Sequence, residues 1–287
     1  MIEQDNTENL DGSYYQVVSD NDIITKFRPL LQSGGWNLRD EDGKICATSV
    51  GIVWDTPWHH VVHDPFFDCQ RWHKVLFDLF SITMPPGSGF VPSACQQCWK
   101  VVVRPKTLLG LFSLLDLQKF LSLPSKCGIE VRNYVNGLYG GYFYNHSLEL
   151  GLENYKLVRE KVNETPHLGE ETSVILKRAC TEFEMRLGDS SKWEITPKQL
   201  QIETVVNKWF VRNNVTREQP QHAIANVHRK WIEYAYSNGD ETYKHFTGGK
   251  PLYKPVKTYH NLVNESERTR ANAIKKFERK QLFPYEL

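Results

Sequence analysis

The sequence predicts an α/β or α+β fold, in which a small mixed sheet with packed helices surrounds a cysteine-rich metal site and a helical, basic C-terminal region follows. In the middle of the chain, short β-branched runs alternate with segments of helical period. The same region contains the pair Cys95 and Cys98, and after about Pro197 the pattern becomes helical. The composition, 40% hydrophobic and 24% charged, is globular and argues against a disordered chain.

Composition shifts divide the chain into three predicted regions. Residues 1–25 are acidic and polar without a clear period, so we expect them to be poorly ordered. Residues 26–195 form the predicted α/β metal-binding core, and residues 196–287 the helical basic region. Thr196 and Pro197 are typical of a helix start at that boundary.

The central elements are the clearest. Trp99–Val103 fits a buried strand, and Pro105 to Thr107 start a mostly apolar helix that ends near Leu121. Two further strands and a helix capped by Ser147 follow, so the predicted order is β-α-β-β-α. These two strands are predicted at 129–132 and 140–144, and the helix at 147–162. Elements outside this run are expected at Ala47–Trp54 (strand), 66–83 (helix), 197–210 (helix), 220–238 (helix) and 262–281 (basic helix).

The cysteine pattern predicts a metal site. Two residues between Cys95 and Cys98 allow both thiolates to turn toward one ion. Cys69 and Cys127 flank this pair at similar distances, so the predicted ligand set is Cys69, Cys95, Cys98 and Cys127. Cys180 is an alternate ligand, and Cys46 fits a core position.

Both an iron–sulfur cluster and zinc accept four cysteines. Structural zinc sites usually combine two CxxC pairs, and only one is present, so a 4Fe-4S cluster is the first expectation and zinc the alternative. Three histidines are also possible metal ligands. His59 and His63 would lie one turn apart on a helix, and His73 follows Cys69 by four residues, so all three are alternate ligands.

The sequence lacks the motifs of several enzyme classes. The sequence contains no P-loop, no GxGxxG and no GxSxG, which argues against an ordinary NTPase, a dinucleotide-dependent dehydrogenase and an α/β-hydrolase. Glu130 and Arg132 place an acid and a base on one predicted strand, as in metal-dependent nucleases. However, Lys is usual at the second position, and no upstream Asp is suitably placed.

Charge is unevenly distributed along a chain whose net charge is +1. From Pro197 onward, 16 Lys and Arg stand against 9 Asp and Glu, and the rest of the chain is net acidic. This asymmetry is typical of a basic region that meets a polyanion, although a solvated helical surface would look the same. The candidate nucleic-acid contacts are Lys275, Lys276, Arg279 and Lys280.

Three functions remain open on the sequence alone. The first is a metal protein that acts on or near nucleic acid; the second is a metalloenzyme with redox or hydrolytic chemistry on a small substrate. The third is a metal-free interaction protein. The sequence shows no secretory signal and no apolar run of membrane-spanning length, so we expect a cytoplasmic protein without membrane contact.

Overall fold

The computed structural model describes residues 19–49, 57–62, 69–83, 90–213 and 219–252. By its contacts the chain divides into two compact units, residues 1–234 and residues 235–287. Both sheets lie in the first unit. The mixed α/β expectation is confirmed, with two small sheets where the sequence predicts one.

Helices and strands alternate through the described residues. The helices there are α1 (Asp20–Ser33), α2 (Cys69–Thr83), α3 (Ser93–Gln96), α4 (Leu108–Leu121), α5 (Leu148–Glu164), α6 (Thr181–Leu187), α7 (Pro197–Trp209), α8 (Gln221–Ser237) and α9 (Lys244–Thr247). The strands there are β1 (Trp36–Glu41), β2 (Lys44–Ser49), β3 (Trp58–Val62), β4 (Trp99–Arg104), β5 (Ser125–Ile129), β6 (Tyr139–Asn145), β7 (Ser173–Arg178) and β8 (Phe210–Asn213).

The larger sheet has the strand order β3-β5-β6-β4-β7, and all its neighbouring strands are antiparallel. Its last four strands and two helices follow in the chain order β4-α4-β5-β6-α5-β7. This is the βαββαβ arrangement, with β3 added beside β5. The structure therefore contains the predicted β-α-β-β-α run and extends it at both edges, but its second strand is Ser125–Ile129, where the sequence predicts 129–132.

Local capping explains why the two helices of this arrangement begin where they do. The Thr107 hydroxyl accepts a hydrogen bond from the Gly110 N–H at 3.1 Å, and the Ser147 hydroxyl accepts one from Leu150 at 3.2 Å. Each cap satisfies an N–H group that lacks a partner within its helix. The predicted starts at Thr107 and Ser147 agree with the structure.

Helices α4 and α5 cover one face of this sheet, which we call the covered face. A Cβ atom added at Gly141 would lie 2.4 Å from Leu114 of α4, and one added at Gly151 of α5 would lie 3.0 Å from Trp99. Only glycine allows such close packing at Gly141. The opposite face, which we call the cavity face, carries Lys100 and Tyr144, which are opposite each other in the strand register.

The smaller sheet has the order β1-β2-β8, with β1 antiparallel and β8 parallel to β2. Helices α1, α2 and α7 share its apolar core. The buried core residues are Ile23, Phe27, Leu31, Trp36, Ile45, Ala47, Trp72, Val75, Leu76, Leu79, Phe80, Ile202, Val205, Val206 and Phe210. Residues 197–234, assigned from sequence to a separate region, thus belong to the same unit as both sheets.

Residues 20–25, which the sequence places in a poorly ordered N-terminus, form the first turns of α1. A reciprocal capping box between Ser19 and Asp22 explains this start. In the second unit, the rings of Tyr236 and Tyr243 pack edge to face at 5.3 Å. Within the described ranges, no helix combines the length and apolar character that crossing a bilayer requires.

Candidate functional site

A cavity of about 1090 Å³ lies against the cavity face of the larger sheet. Helices α2 and α6 and the residues after β5 also border it. Five Lys and Arg side chains and three Asp and Glu side chains line it, so its lining is net cationic by two charges. These are Lys74, Lys100, Lys126, Arg132 and Arg186, with Asp78, Glu130 and Glu182.

One end of the cavity holds a buried lysine bonded to a cysteine. The Lys100 ammonium donates a hydrogen bond to Cys180 Sγ at 3.0 Å, and both side chains line the cavity. Burial lowers the pKa of Lys100, but the nearby Cys180 and Cys98 raise it, and the result lies well above its ordinary value. Lys100 is therefore a fixed positive charge beside two sulfurs.

The backbone brings Cys98 next to this pair. Trp99 is opposite Arg178 in the β4–β7 register, and the Ala179 N–H donates to the Cys98 carbonyl at 2.8 Å. Cys98 and Cys180 thus sit at the same end of one strand pair. Cys95 precedes them in α3 and lines the cavity. We call Cys95, Cys98, Cys180 and Lys100 the thiol cluster.

Another part of the cavity lining is organised by the buried carboxylate of Glu130. It accepts hydrogen bonds from Arg132 Nε at 2.8 Å, Arg132 Nη2 at 2.6 Å and the Tyr142 hydroxyl at 3.0 Å. Arg104 lies 3.4 Å away. Burial alone would raise the pKa of Glu130. The hydrogen bonds from Arg132 outweigh burial and bring the pKa below its ordinary value, so the carboxyl stays ionised.

Arg132 joins this carboxylate to α6. Its Nη1 donates to Glu182 at 2.9 Å, and the Tyr134 hydroxyl donates to the same Glu182 oxygen at 2.9 Å. The hydrogen bond to Glu130 raises the pKa of Arg132, which keeps the guanidinium charged. A guanidinium held in this way presents a planar, preorganised cation to the cavity.

The comparisons give this chain no relatives. No family model, no curated protein and no solved structure matches it. The function must therefore be argued from the site itself.

The structure separates Cys127 from the other predicted ligands. Cys127 is opposite Gly141 in β6, which is opposite Val103 in β4. Val103 lies five residues along β4 from Cys98, so strand geometry puts Cys127 about 19 Å from Cys98. The Cys127 side chain is buried on the covered face, and burial raises the pKa of its thiol.

The remaining predicted ligands divide between described and undescribed positions. Cys95 and Cys180 line the cavity together with His73 of α2, and Cys98 is joined to Ala179, the residue before Cys180, by a backbone hydrogen bond. The side chain of Cys69 and all of His63 lie outside the described residues. Among the residues that the structure describes, no group of three or more His, Cys, Asp or Glu side chains is arranged to hold a metal ion.

The described part of the histidine-rich segment, Trp58–Val62, is a strand and not a helix. His59 lies in β3, and its Nδ1 is 2.9 Å from His228 Nε2 of α8. Burial and the neighbouring His228 lower the pKa of His59 to about 4. This pair lies on the covered face, away from the cavity, because His59 is opposite Cys127 in the strand register.

The predicted nucleic-acid contacts Lys275, Lys276, Arg279 and Lys280 lie outside the described residues, so that role stays a prediction. The residue that sequence reasoning missed is Lys100. A charged side chain within the apolar run Trp99–Val103 is unusual, because buried lysines need a partner. That anomaly was the available signal, although nothing local to it names Cys180 as the partner.

Proposed function

We propose that this protein is an enzyme that uses Cys180 as a nucleophile on a small anionic substrate bound in the cavity. The observation that carries the proposal is the 3.0 Å contact between the buried Lys100 ammonium and Cys180 Sγ. Reactive cysteines in proteins lie beside cations and stay accessible, whereas inert ones are buried in apolar surroundings. Cys180 is half-buried and lines the cavity, which meets both conditions.

The chain's own groups supply the parts of such a reaction. The Cys180 sulfur, which accepts a hydrogen bond from Lys100, forms a bond to an electrophilic carbon while the bond to the leaving group breaks and its electron pair departs with that group. Water then attacks the same carbon, the carbon–sulfur bond breaks, the water oxygen stays on the product, and the sulfur takes back a proton to restore the thiol. Arg132, fixed by Glu130 and Glu182, and the other cations of the lining would orient a carboxylate or phosphate of the substrate.

Alkylation under native conditions tests this proposal. Iodoacetamide and iodoacetate are applied separately, and peptide mass spectrometry follows the modification of each cysteine with N-acetylcysteine as the reference thiol. We expect Cys180 to react with iodoacetamide about tenfold faster than the reference near neutral pH, because a free cysteine is only a few per cent thiolate there. The cationic cavity should also raise the rate with iodoacetate relative to iodoacetamide. Cys180 reacting no faster than the reference would overturn the proposal.

The metal protein predicted from sequence is the second candidate. One observation favours it: His73 lines the cavity, and its Nδ1 is buried without a hydrogen-bond partner among the described residues. An unpartnered buried ring nitrogen that lines the same cavity as Cys95 is chemistry that a soft metal ion accepts. Zinc or an iron–sulfur cluster would then take ligands from this end of the cavity.

Metal analysis of purified protein distinguishes this candidate, with Cys98→Ser and Cys127→Ser as a matched pair. Stoichiometric zinc or iron that is lost in Cys98→Ser and kept in Cys127→Ser would support a site at the thiol cluster. Wild-type protein free of both metals after anaerobic purification would remove the metal candidate and leave the nucleophile proposal in place.

A further inference from the structure

We propose that Cys98 and Cys180 form a reversible disulfide, in which Cys98 resolves an oxidised Cys180. This inference rests on the proposed function, because it requires Cys180 to be the accessible, reactive thiol. It adds a second participating cysteine and a class of co-substrate, a hydroperoxide.

The backbone path places the two residues within reach of each other. Cys98 is joined to Ala179 by the 2.8 Å backbone hydrogen bond that continues the β4–β7 pairing, and Cys180 is the next residue. Ala179 has a φ of 50°, a left-handed conformation that turns the chain at this point. Paired residues at a strand end lie about 5 Å apart between Cα atoms, so Cys180 is within one residue of a bridging position.

The shared ammonium places both sulfurs on the cavity face. Lys100 is two residues after Cys98 along the chain and donates to Cys180 Sγ at 3.0 Å. Side chains two positions apart on an extended strand point to the same face, and Cys98 continues the β4–β7 pairing, so its side chain lies on the same face as Lys100. A cation beside a cysteine is typical of reactive thiols in proteins.

Exposure separates the roles of the three clustered cysteines. Cys180 is half-buried at the cavity wall, whereas Cys95 and Cys98 are each 3% exposed. An oxidant therefore meets Cys180 first, and Cys98 is the protected partner that attacks it afterwards. Cys95 is one helical turn away from Cys98, with its carbonyl accepting from the Cys98 N–H at 3.2 Å, and a Cys95–Cys98 bridge is the competing product.

The disulfide forms in two steps. The Cys180 thiolate attacks one oxygen of a hydroperoxide, the O–O bond breaks, and the other oxygen leaves as an alcohol or water after taking a proton, which gives Cys180 sulfenic acid. The Cys98 thiolate then attacks the Cys180 sulfur, the S–O bond breaks, and water leaves. A small dithiol returns both residues to thiols and becomes a disulfide.

To test this, native wild-type protein is treated with hydrogen peroxide and its remaining thiols are blocked. The disulfides of the non-reduced protein are then mapped by mass spectrometry. We expect a linked Cys98–Cys180 peptide pair that dithiothreitol abolishes. Cys98→Ser should instead accumulate Cys180 sulfenic acid, which dimedone traps, and Cys95→Ser should still form the Cys98–Cys180 bridge. The Cys127→Ser variant is the control and should match wild type.

Other outcomes separate the two proposals. A Cys95–Cys98 bridge, or Cys180 sulfinic acid without any bridge in wild type, would overturn the disulfide while fast alkylation of Cys180 keeps the nucleophile proposal. Slow alkylation together with no oxidation at Cys180 would overturn both. The wild-type map decides the matter even where a serine variant fails to fold.

Discussion

The two faces of the larger sheet put the same residue type to different uses. On the covered face, Cys127 is fully buried beneath α4, and burial raises the pKa of its thiol. On the cavity face, Cys180 is half-buried and accepts a hydrogen bond from Lys100. The comparison teaches that the environment, and not spacing along the chain, decides which cysteine of this protein can react.

The same contrast applies to charged groups. The covered face has an uncharged histidine pair, His59 and His228, enclosed by Phe112 and Trp231. The cavity face holds Lys100, Glu130 and Arg132 as ions, each with a partner of complementary chemistry. A face that holds ions in place through paired partners at a cavity wall is suited to binding, whereas the covered face is suited to packing.

The largest expected effect on stability is a difference between variants of Glu130 and Glu182, the two acids that bind Arg132. Glu130→Ala should lower the free energy of unfolding by about 3–5 kcal/mol, because it leaves buried donors without an acceptor. Glu182→Ala should cost less than about 1 kcal/mol, since that side chain is exposed to solvent. Urea-induced unfolding of both variants measures the difference. Equal losses would show that Glu130 does not anchor the cavity face.

The histidine pair predicts an acid sensitivity of the covered face. The folded pKa of His59 is about 4, below its ordinary value, so the unfolded chain binds a proton that the folded chain excludes. Stability should therefore fall as the pH drops from about 6.5 toward 4, by up to about 3 kcal/mol. Urea unfolding at several pH values measures this loss.

The control for this prediction is His59→Gln, which removes one titrating ring. Its unfolding free energy should fall less steeply over the same pH range. The neighbouring Lys119 and Asp116 of α4, which also act on His228, are unchanged in this variant. A slope identical to that of wild type would show that His59 is not the group responsible.

A smaller difference in unfolding free energy is expected between serine variants of Cys127 and Cys180. Cys127→Ser places a hydroxyl in a fully buried position and should cost about 1–3 kcal/mol of unfolding free energy. Native Cys127 should also resist alkylation until the protein unfolds. Cys180→Ser should cost less, because its side chain is half-buried and a hydroxyl can still accept a bond from Lys100. Thermal unfolding of both variants measures the order, and the reverse order would contradict the assignment of faces.

Local signals explain which parts of the fold could be predicted from sequence. Strand β4, helix α4, strand β6 and helix α5 follow from apolar period and from caps at Thr107 and Ser147, which depend on neighbouring residues alone. The missed edge strand β7 has residues that alternate between buried and exposed positions only in part. The His59 segment was ambiguous because five residues cannot distinguish a strand from a helix by period.

The site depends on pairings that are distant in sequence. Lys100 and Cys180 are 80 residues apart, and β7 must pair with β4 before they can meet. Cys127 seemed a suitable ligand because it follows Cys98 by a spacing like that between Cys69 and Cys95. The strand order places β6 between their strands, which no spacing rule reveals.

The most direct test of the central claim is the rate at which iodoacetamide alkylates Cys180 in wild type, Lys100→Met and Lys177→Met. Lys177 is opposite Lys100 in the strand register but pairs with Glu184, so its variant removes a neighbouring cation without touching Cys180. We predict that Lys100→Met slows the reaction about tenfold and that Lys177→Met leaves it nearly unchanged. Equal rates in wild type and Lys100→Met would contradict the account.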